Sequence, residues 1–143
     1  MLVKEIMKRD VRRVAQYHTL VDAAGIMRSQ NCGFLPVCSE DGIVLGTVTD
    51  RDIVVRGVAD GLSASASIGL VMTHDVISCH PDDDVREAER LMGEHRKSRI
   101  LCLEGMKLVG VLSLSDIADA ELSGIATSNT LRKITKRESS RPS

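Results

Sequence analysis

Two short stretches of the sequence place a hydroxyl and a carboxylate three residues apart, each after an apolar run that predicts a strand. Thr49 and Asp52 form the first pair, and Ser113 and Asp116 form the second. A helix is predicted to begin at each pair. The N-terminus of a helix offers free backbone N–H groups and the positive end of the helix dipole, so it favours a bound anion. We interpret these two junctions as the candidate functional sites.

The same Ser/Thr-x-x-Asp spacing is also typical of a helix capping box. In that interpretation Thr49 and Ser113 only satisfy N–H groups of the first helical turn, for about 1 kcal/mol each. The motif alone leaves both interpretations open. Because it recurs, we favour a working binding site at one junction at least, and the first junction is the better candidate.

The elements that must position these residues are themselves repeated. Ile6–Val11 matches Val71–Val76 at an offset of 65 residues. After a slip of one residue, an offset of 64 pairs Gly46 with Gly110. Two copies of one pattern predict two similar subdomains packed across a pseudo-twofold axis.

Each copy shows the same predicted order: a short leading helix, a strand, a helix, two strands forming a hairpin, and a final helix. In the first copy these elements are Leu2 to Met7, Val11 to Val14, a helix capped by Thr19, Phe34 to Cys38, Ile43 to Thr49, and Asp50 to Val58. In the second copy they are Ala66 to Met72, Val76 to Cys79, Val85 to His95, Arg99 to Leu103, Leu108 to Ser113, and a helix from Leu114. Gly33 is expected to end the first long helix.

This order predicts an α+β fold in which each domain is β-α-β-β-α after its leading helix. We expect a first domain at residues 1–60, a linker at 61–67 and a second domain at 68–122. Residues 123–143 form a basic polar tail that is expected to be partly disordered, with one weak helical turn around Leu131 and Ile134.

Composition narrows the possible functions. The net charge of −1 gives no general attraction for nucleic acid, and one Tyr and one Phe are too few for base stacking on single strands. No apolar run is long enough for a membrane span, so no membrane partner is expected. The tail is expected to be a solvated segment rather than a nucleic-acid-binding arm. The sequence contains no nucleophile elbow, phosphate-binding loop or HExxH helix, so we expect no enzyme.

The cysteines and the N-terminus bear on the compartment. The N-terminal stretch from Met1 to Met7 is too short and too charged for a signal peptide. This predicts a cytoplasmic protein with reduced thiols. Cys38, Cys79 and Cys102 lie in strand-like runs and are expected to be buried. The alternative to buried, inert thiols is a metal site formed by Cys79, His80 and Cys32. The spacing of the cysteines matches no CxxC zinc pattern, so no metal site is predicted.

The element order, the tandem duplication and the Gly-apolar-Ser/Thr-x-x-Asp ending together resemble the CBS domain family. A tandem pair of this kind is called a Bateman module. The resemblance covers residue 1 to about residue 122, and the recurrence of the short motif at the same place in both copies makes it specific.

The resemblance implies regulation rather than catalysis. CBS pairs bind AMP, ADP, ATP, NAD or S-adenosylmethionine in clefts between the two copies, and they commonly form disk-shaped homodimers. In the family the motif Asp accepts hydrogen bonds from ribose hydroxyls, and the Ser/Thr hydroxyl faces phosphate. These roles suit the chemistry, since a carboxylate only accepts hydrogen bonds and a hydroxyl can donate one to phosphate.

Carried over to this chain, the resemblance gives a set of expected ligand-binding residues and no catalytic residue. They are Val11, Val14, Gly33, Phe34, Pro36, Thr49, Arg51 and Asp52 from the first copy, and Val76, Ser98, Arg99, Ser113, Ser115 and Asp116 from the second. The family's Gly-x-x-Pro strand is kept at Gly33 and Pro36, whereas the second copy has Ser98 and Leu101 in these places.

The resemblance therefore implies a sensor of an adenine nucleotide or adenosyl ligand that signals through its homodimer to an unknown regulated protein. The alternative is a ligand-free dimerisation scaffold whose basic tail docks a protein partner. A thiol-responsive or metal-responsive protein and a nucleic-acid binder are less favoured rivals.

Overall fold

The computed structural model of the chain describes residues 1–125, and the side chains of residues 1–123. The predicted helical turn at Leu131 and Ile134, and most of the predicted tail, lie outside this part. The described helices and strands, in chain order, are α1 Leu20–Gln30, β1 Phe34–Cys38, β2 Val44–Thr49, α2 Asp50–Asp52, β3 Ser78–Cys79, α3 Val85–His95, β4 Arg99–Glu104, β5 Lys107–Ser113 and α4 Leu114–Ile125. The α+β fold class is confirmed.

The chain forms two compact units, which we name after the carboxylate that each contains. The Asp52 unit consists of residues 11–76 and 105–108. Within the described part of the chain, the Asp116 unit consists of residues 1–10, 77–104 and 109–125. These units do not follow the order of the repeats, because each leading segment packs in the unit of the other repeat. The domain boundaries drawn from the sequence stay a prediction.

In the Asp52 unit, β1 and β2 form an antiparallel hairpin from Phe34↔Thr49 to Cys38↔Val44. Helix α1 begins at a capping box in which Thr19 Oγ1 accepts from the Asp22 N–H at 3.1 Å. It ends at Asn31, whose φ of 50° is left-handed. The prediction that Gly33 ends this helix is therefore wrong. The core joins the apolar face of α1 to the hairpin, through Leu20, Ala23, Met27, Leu35, Val37 and Val48.

In the Asp116 unit, three strands form a sheet in the order β3-β4-β5. Helix α3 begins at Asp84, whose side chain accepts from the Arg86 N–H at 2.9 Å. Its apolar stripe packs on the sheet, as the spacing of these residues predicts. The buried core residues are Val3, Met7, Cys79, Val85, Ala88, Met92, Ile100, Cys102, Leu112 and Ile117.

The strand predicted at Val11 to Val14 is shorter than expected, since only the bridge Val14↔Val37 forms. The Val14 N–H donates to the Pro36 carbonyl, and the Cys38 N–H donates to the Val14 carbonyl. The next bond of this parallel ladder would run from the N–H of residue 36 to the carbonyl of Arg12, and proline has no N–H. Pro36 therefore ends the ladder after one bridge.

The matching position in the second repeat carries Leu101, which has an N–H. It donates to the Ile77 carbonyl at 3.1 Å, so β3 pairs with β4 over Ser78↔Leu101 and Cys79↔Cys102. The strand predicted from Val76 is thus present but begins at Ser78. The replacement of Pro36 by Leu101 explains the difference between the two leading strands.

Both predicted leading helices are single 3₁₀ turns, at Val3–Glu5 and Ile68–Leu70. After each turn the chain pairs with the last hairpin strand of the other repeat. Lys8 pairs with Val111 in β5, and Thr73 pairs with Thr47 in β2. These pairings bring both leading segments to the strand-to-helix junctions that carry the motif.

Candidate functional site

At the first junction, the motif residues form a closed capping box. Thr49 Oγ1 accepts from the Asp52 N–H at 3.0 Å, and Asp52 Oδ2 accepts from the Thr49 N–H at 3.0 Å. The Asp52 carboxylate is half-buried, and its second oxygen, Oδ1, lies outside the box. The helix that follows is α-helical only over α2 and continues as a π-helix at Ile53–Val58.

The second junction repeats this geometry at the start of α4. Ser113 Oγ accepts from the Asp116 N–H and Asp116 Oδ2 accepts from the Ser113 N–H, both at 3.0 Å. The Ser115 hydroxyl lies 3.0 Å from the Ser113 hydroxyl. The capping interpretation of the motif is therefore correct in both repeats.

Capping does not consume the binding capacity of these groups. Each carboxylate retains Oδ1, and a hydroxyl that accepts one hydrogen bond can still donate one. The cap holds the carboxylate in one orientation through its other oxygen. Each junction thus presents an oriented acceptor beside a hydroxyl at a helix start, an arrangement that can bind a vicinal diol.

The leading segments add one side chain to each carboxylate, and the sequence analysis missed both. Thr73 Oγ1 lies 3.4 Å from both oxygens of Asp52. Lys8 Nζ lies 3.6 Å from Asp116 Oδ1. Lys8 and Thr73 occupy matching positions in the Ile6–Val11 and Val71–Val76 stretches. That match was the available signal, but only the pairing of each leading segment with the other repeat brings it to the site.

The glycine of the motif is required by this pairing. A Cβ on Gly46 would overlap the Thr73 carbonyl oxygen, and a Cβ on Gly110 would lie 2.9 Å from the Lys8 carbonyl oxygen. The neighbouring methionine side chain, Met72 or Met7, closes the same space. Glycine therefore lets the leading segment approach close enough to place its side chain on the carboxylate.

Gly33 has a different role, next to the helix start. A Cβ there would lie 2.6 Å from Asp50 Oδ2, and the Gly33 carbonyl accepts from the Asp50 N–H at 3.0 Å. In the second repeat the same backbone bond joins Leu114 to Ser98 at 2.8 Å. Ser98 is tolerated where Leu114 replaces the carboxylate of Asp50. The second repeat can therefore lack the glycine because its helix has Leu114 in place of Asp50, and the backbone hydrogen bond at the junction is kept.

The other predicted site residues are placed as follows. Val14 and Pro36 are buried, Val11, Phe34, Val76 and Arg99 are half-buried, and Arg51, Ser98 and Ser115 are exposed. The structure brings Gly33 to the Asp52 junction, and Ser98 and Ser115 to the Asp116 junction. The assignment of this set to a ligand stays a prediction.

The cysteines are free thiols, and Cys38, Cys79 and Cys102 are buried, as expected. Burial raises the pKa of Cys38. The Sγ atoms of Cys79 and Cys102 lie 3.8 Å apart, and their hydrogen bond, together with burial, raises the pKa of Cys102. Among the described residues, no group of three His, Cys, Asp or Glu side chains could hold a metal ion. No helix within residues 1–125 is long and apolar enough to cross a membrane.

Comparison with known proteins identifies similar sequences and structures. The family model for the CBS domain matches the chain twice, at residues 3–57 and 66–123. CBS domain-containing protein YhcV of Bacillus subtilis is 32% identical over 132 residues, which cover 92% of this chain and 94% of that protein. Hypoxic response protein 1 of Mycobacterium tuberculosis is 34% identical over 116 residues, which cover 80% of this chain and 81% of that protein.

Solved structures share the fold. The crystal structure of Hypoxic Response Protein I with two coordinated zinc ions has a TM-score of 0.76 at 33% identity, and the match covers 82% of this chain and 97% of that one. The CBS domain pair of protein MJ0100, in complex with 5′-methylthioadenosine and S-adenosyl-L-methionine, has a TM-score of 0.76 at 24% identity, over 87% of this chain and 98% of that one. CBS-domain proteins are generally regulatory rather than catalytic. The chain therefore belongs to the CBS domain family.

Proposed function

We propose that this chain is a non-catalytic sensor that binds an adenine nucleotide or adenosyl ligand at its strand-to-helix junctions and signals through a homodimer. Asp52 and Asp116 accept the ribose hydroxyls through their Oδ1 atoms, which lie outside the cap and keep acceptor capacity beside the contact with Thr73 or Lys8. The hydroxyls of Thr49 and Ser113 face the group attached to the ribose. A regulated protein partner recognises the ligand-bound state of the dimer.

One observation carries this proposal. Both repeats present the same carboxylate, whose Oδ2 closes the cap and whose Oδ1 lies outside the cap, on elements of a CBS pair. Two unrelated caps would not need matching glycines at Gly46 and Gly110 or a side chain from matching positions, Lys8 and Thr73, beside each carboxylate. The adenosyl ligands named for the MJ0100 pair support the ligand class, since that pair shares the fold.

The free thiols support a cytoplasmic location, because thiols stay reduced in that compartment. A ligand that binds the two conformations of the dimer unequally shifts their populations by its difference in affinity. The same shift changes the surface offered to the partner.

The test is thermal unfolding of the full chain with AMP, ATP, NAD or S-adenosylmethionine at millimolar concentration. A ligand at 100 times its dissociation constant stabilises the folded protein by about 2.7 kcal/mol. We expect at least one member of this panel to raise the unfolding temperature.

The matched variant is the double substitution Asp52→Asn and Asp116→Asn. An asparagine oxygen can still accept the capping hydrogen bond, so the cap survives, but the anionic acceptor is lost. We expect the unliganded protein to unfold at a similar temperature and the ligand-induced shift to disappear. A shift that persists in the double variant contradicts the assigned site. No shift with any ligand contradicts the sensor function and favours a ligand-free scaffold.

A further inference from the structure

The two junctions have the same cap but differ in the side chain that faces the carboxylate. Lys8 lies beside Asp116, and Thr73 lies beside Asp52. The two residues hold matching positions in the repeats, so this difference is a substitution within one common framework. One junction therefore contains an ammonium group where the other contains a neutral hydroxyl.

The backbone of Lys8 is fixed, whereas its side chain is open to solvent. Its N–H donates to the Val111 carbonyl and its carbonyl accepts from the Val111 N–H, both at 2.9 Å. The Lys8 side chain is 69% exposed, and that of Asp116 is 13% exposed. The 3.6 Å between Nζ and Oδ1 is longer than a good charge-assisted hydrogen bond. The ammonium thus sits next to the carboxylate with donors still able to bind another anion.

The surroundings of the two carboxylates increase the contrast. Ser113 and Ser115 place two hydroxyls beside Asp116, and the helix residue before Ser115 is the uncharged Leu114. At the other junction the residue matching Leu114 is Asp50, a second carboxylate that accepts from the Arg51 N–H at 2.8 Å. The Asp116 junction therefore combines a ribose acceptor with a cation from the leading segment. At the Asp52 junction the helix carries Asp50 and Arg51, whose opposite charges offset each other, and the leading segment supplies no cation.

We infer that Lys8 is the specificity-determining residue of the Asp116 site and makes it select ligands with an anionic group beside the ribose, such as a 5′-phosphate. An ammonium attracts phosphate as a point charge, and a serine hydroxyl can donate to the same group. The Asp52 site, with the neutral Thr73 in this place and the opposite charges of Asp50 and Arg51 on its helix, has no such preference. This inference rests on the proposed function, because it assumes that the carboxylates bind ribose.

The test compares AMP with adenosine, which differ only in the phosphate, by calorimetric titration of the full chain. Asp52→Asn isolates the Asp116 site. In that background we expect AMP to bind at least about tenfold more tightly than adenosine, the usual effect of a charge-assisted hydrogen bond. Adding Lys8→Thr is expected to weaken AMP binding without changing adenosine binding, so the preference for AMP is lost. Adding Lys8→Arg is expected to keep the preference for AMP.

The reciprocal experiment isolates the Asp52 site with Asp116→Asn. We expect similar affinities for AMP and adenosine there, and adding Thr73→Lys creates a preference for AMP. Circular dichroism and the urea midpoint verify that each variant is folded, which the exposure of Lys8 favours. If Lys8 only stabilises the unit through its ion pair, Lys8→Thr lowers the midpoint and leaves the ratio of AMP to adenosine affinity unchanged.

The outcomes separate the two levels of the argument. If ligands bind at the Asp116 site but Lys8→Thr leaves the ratio of AMP affinity to adenosine affinity unchanged, the role of Lys8 is overturned. The sensor function is then unaffected. Absence of binding by AMP, adenosine and the wider ligand panel overturns the sensor function, and the role of Lys8 with it.

Discussion

At the scale of single residues, Asp52 and Asp116 each serve structure and binding through different oxygens. Oδ2 closes the cap, and this fixes the direction of Oδ1. A carboxylate held by a backbone N–H loses little conformational freedom when a diol binds, which favours affinity. The structural and functional interpretations of the motif are therefore compatible.

The close approach at Gly46 leads to a stability prediction. We expect Gly46→Ala to lower the free energy of unfolding by about 1–3 kcal/mol, because the new methyl group overlaps the Thr73 carbonyl and must displace the leading segment. Urea unfolding of the full chain measures the change.

Gly25→Ala is the matched control for this substitution. Gly25 lies within α1 and has no atom within 4 Å of a built Cβ, so alanine fits there. Helix propensity then predicts a gain of about 0.5–1 kcal/mol. Equal effects of the two substitutions, or a stable Gly46→Ala variant, would contradict the packing argument.

The motif pairs could be predicted from sequence because their spacing is local and recurs. Their partners Lys8 and Thr73 could not, because each lies far along the chain from its carboxylate. A local pattern carries no information about which strand a leading segment pairs with. The repeat shows only that the two residues are equivalent.

At the scale of elements, the helices α1 and α3 were predictable because caps and apolar stripes mark them in the sequence. Helix Asp50 to Val58 has the predicted extent, but most of it has π-type hydrogen bonds, which residue spacing cannot show. The leading segments were overestimated as helices, because apolar spacing over so few residues fits a 3₁₀ turn equally well. A proline within a strand marks an edge or an irregularity, and at Pro36 the structure shows the missing backbone hydrogen bond.

The strand edge at Pro36 gives a paired prediction. We expect Pro36→Leu to supply the missing N–H, extend the ladder to Arg12 and protect amide 36 from hydrogen exchange. The reverse change, Leu101→Pro, removes the bond to Ile77 and places a proline ring inside the β3-β4 ladder. It is expected to destabilise the protein by about 3 kcal/mol or more.

Hydrogen exchange followed by NMR measures the first change, and urea unfolding measures the second. Leu103→Val in the same strand is the control for a conservative change at a buried position of β4. An amide at position 36 that exchanges as fast as an exposed loop would show that the ladder does not extend. A Leu101→Pro variant as stable as the control would rule out the role of the Leu101 N–H.

At the scale of the whole molecule, one apolar surface supports the proposed homodimer. Val54, Val55 and Val58 lie on one side of the helical segment after Asp52, and are 58%, 50% and 67% exposed. Large apolar side chains grouped on one face are typical of an interaction surface. In the proposed homodimer, a second copy of the chain would cover these valines.

We therefore expect the wild-type chain to sediment as a dimer and Val55→Asp to sediment as a monomer, because a buried charge at the interface is strongly unfavourable. Analytical ultracentrifugation at micromolar concentration measures the masses. Met106→Asp is the control, since Met106 is a similarly exposed apolar residue at the β4-β5 turn. A monomeric wild-type chain, or a Val55→Asp dimer as tight as the control, would contradict this interface.

The interleaving of the two units has a consequence for synthesis on the ribosome. Residues 1–10 are translated long before residue 111, so Lys8 has no pairing partner until Val111 has been made. Val3 and Met7 stay without their native apolar neighbours until most of the polypeptide has been translated. The buried core of the Asp52 unit lies within residues 14–72, so it can form first, and the leading segment of the Asp116 unit waits longest for its native contacts.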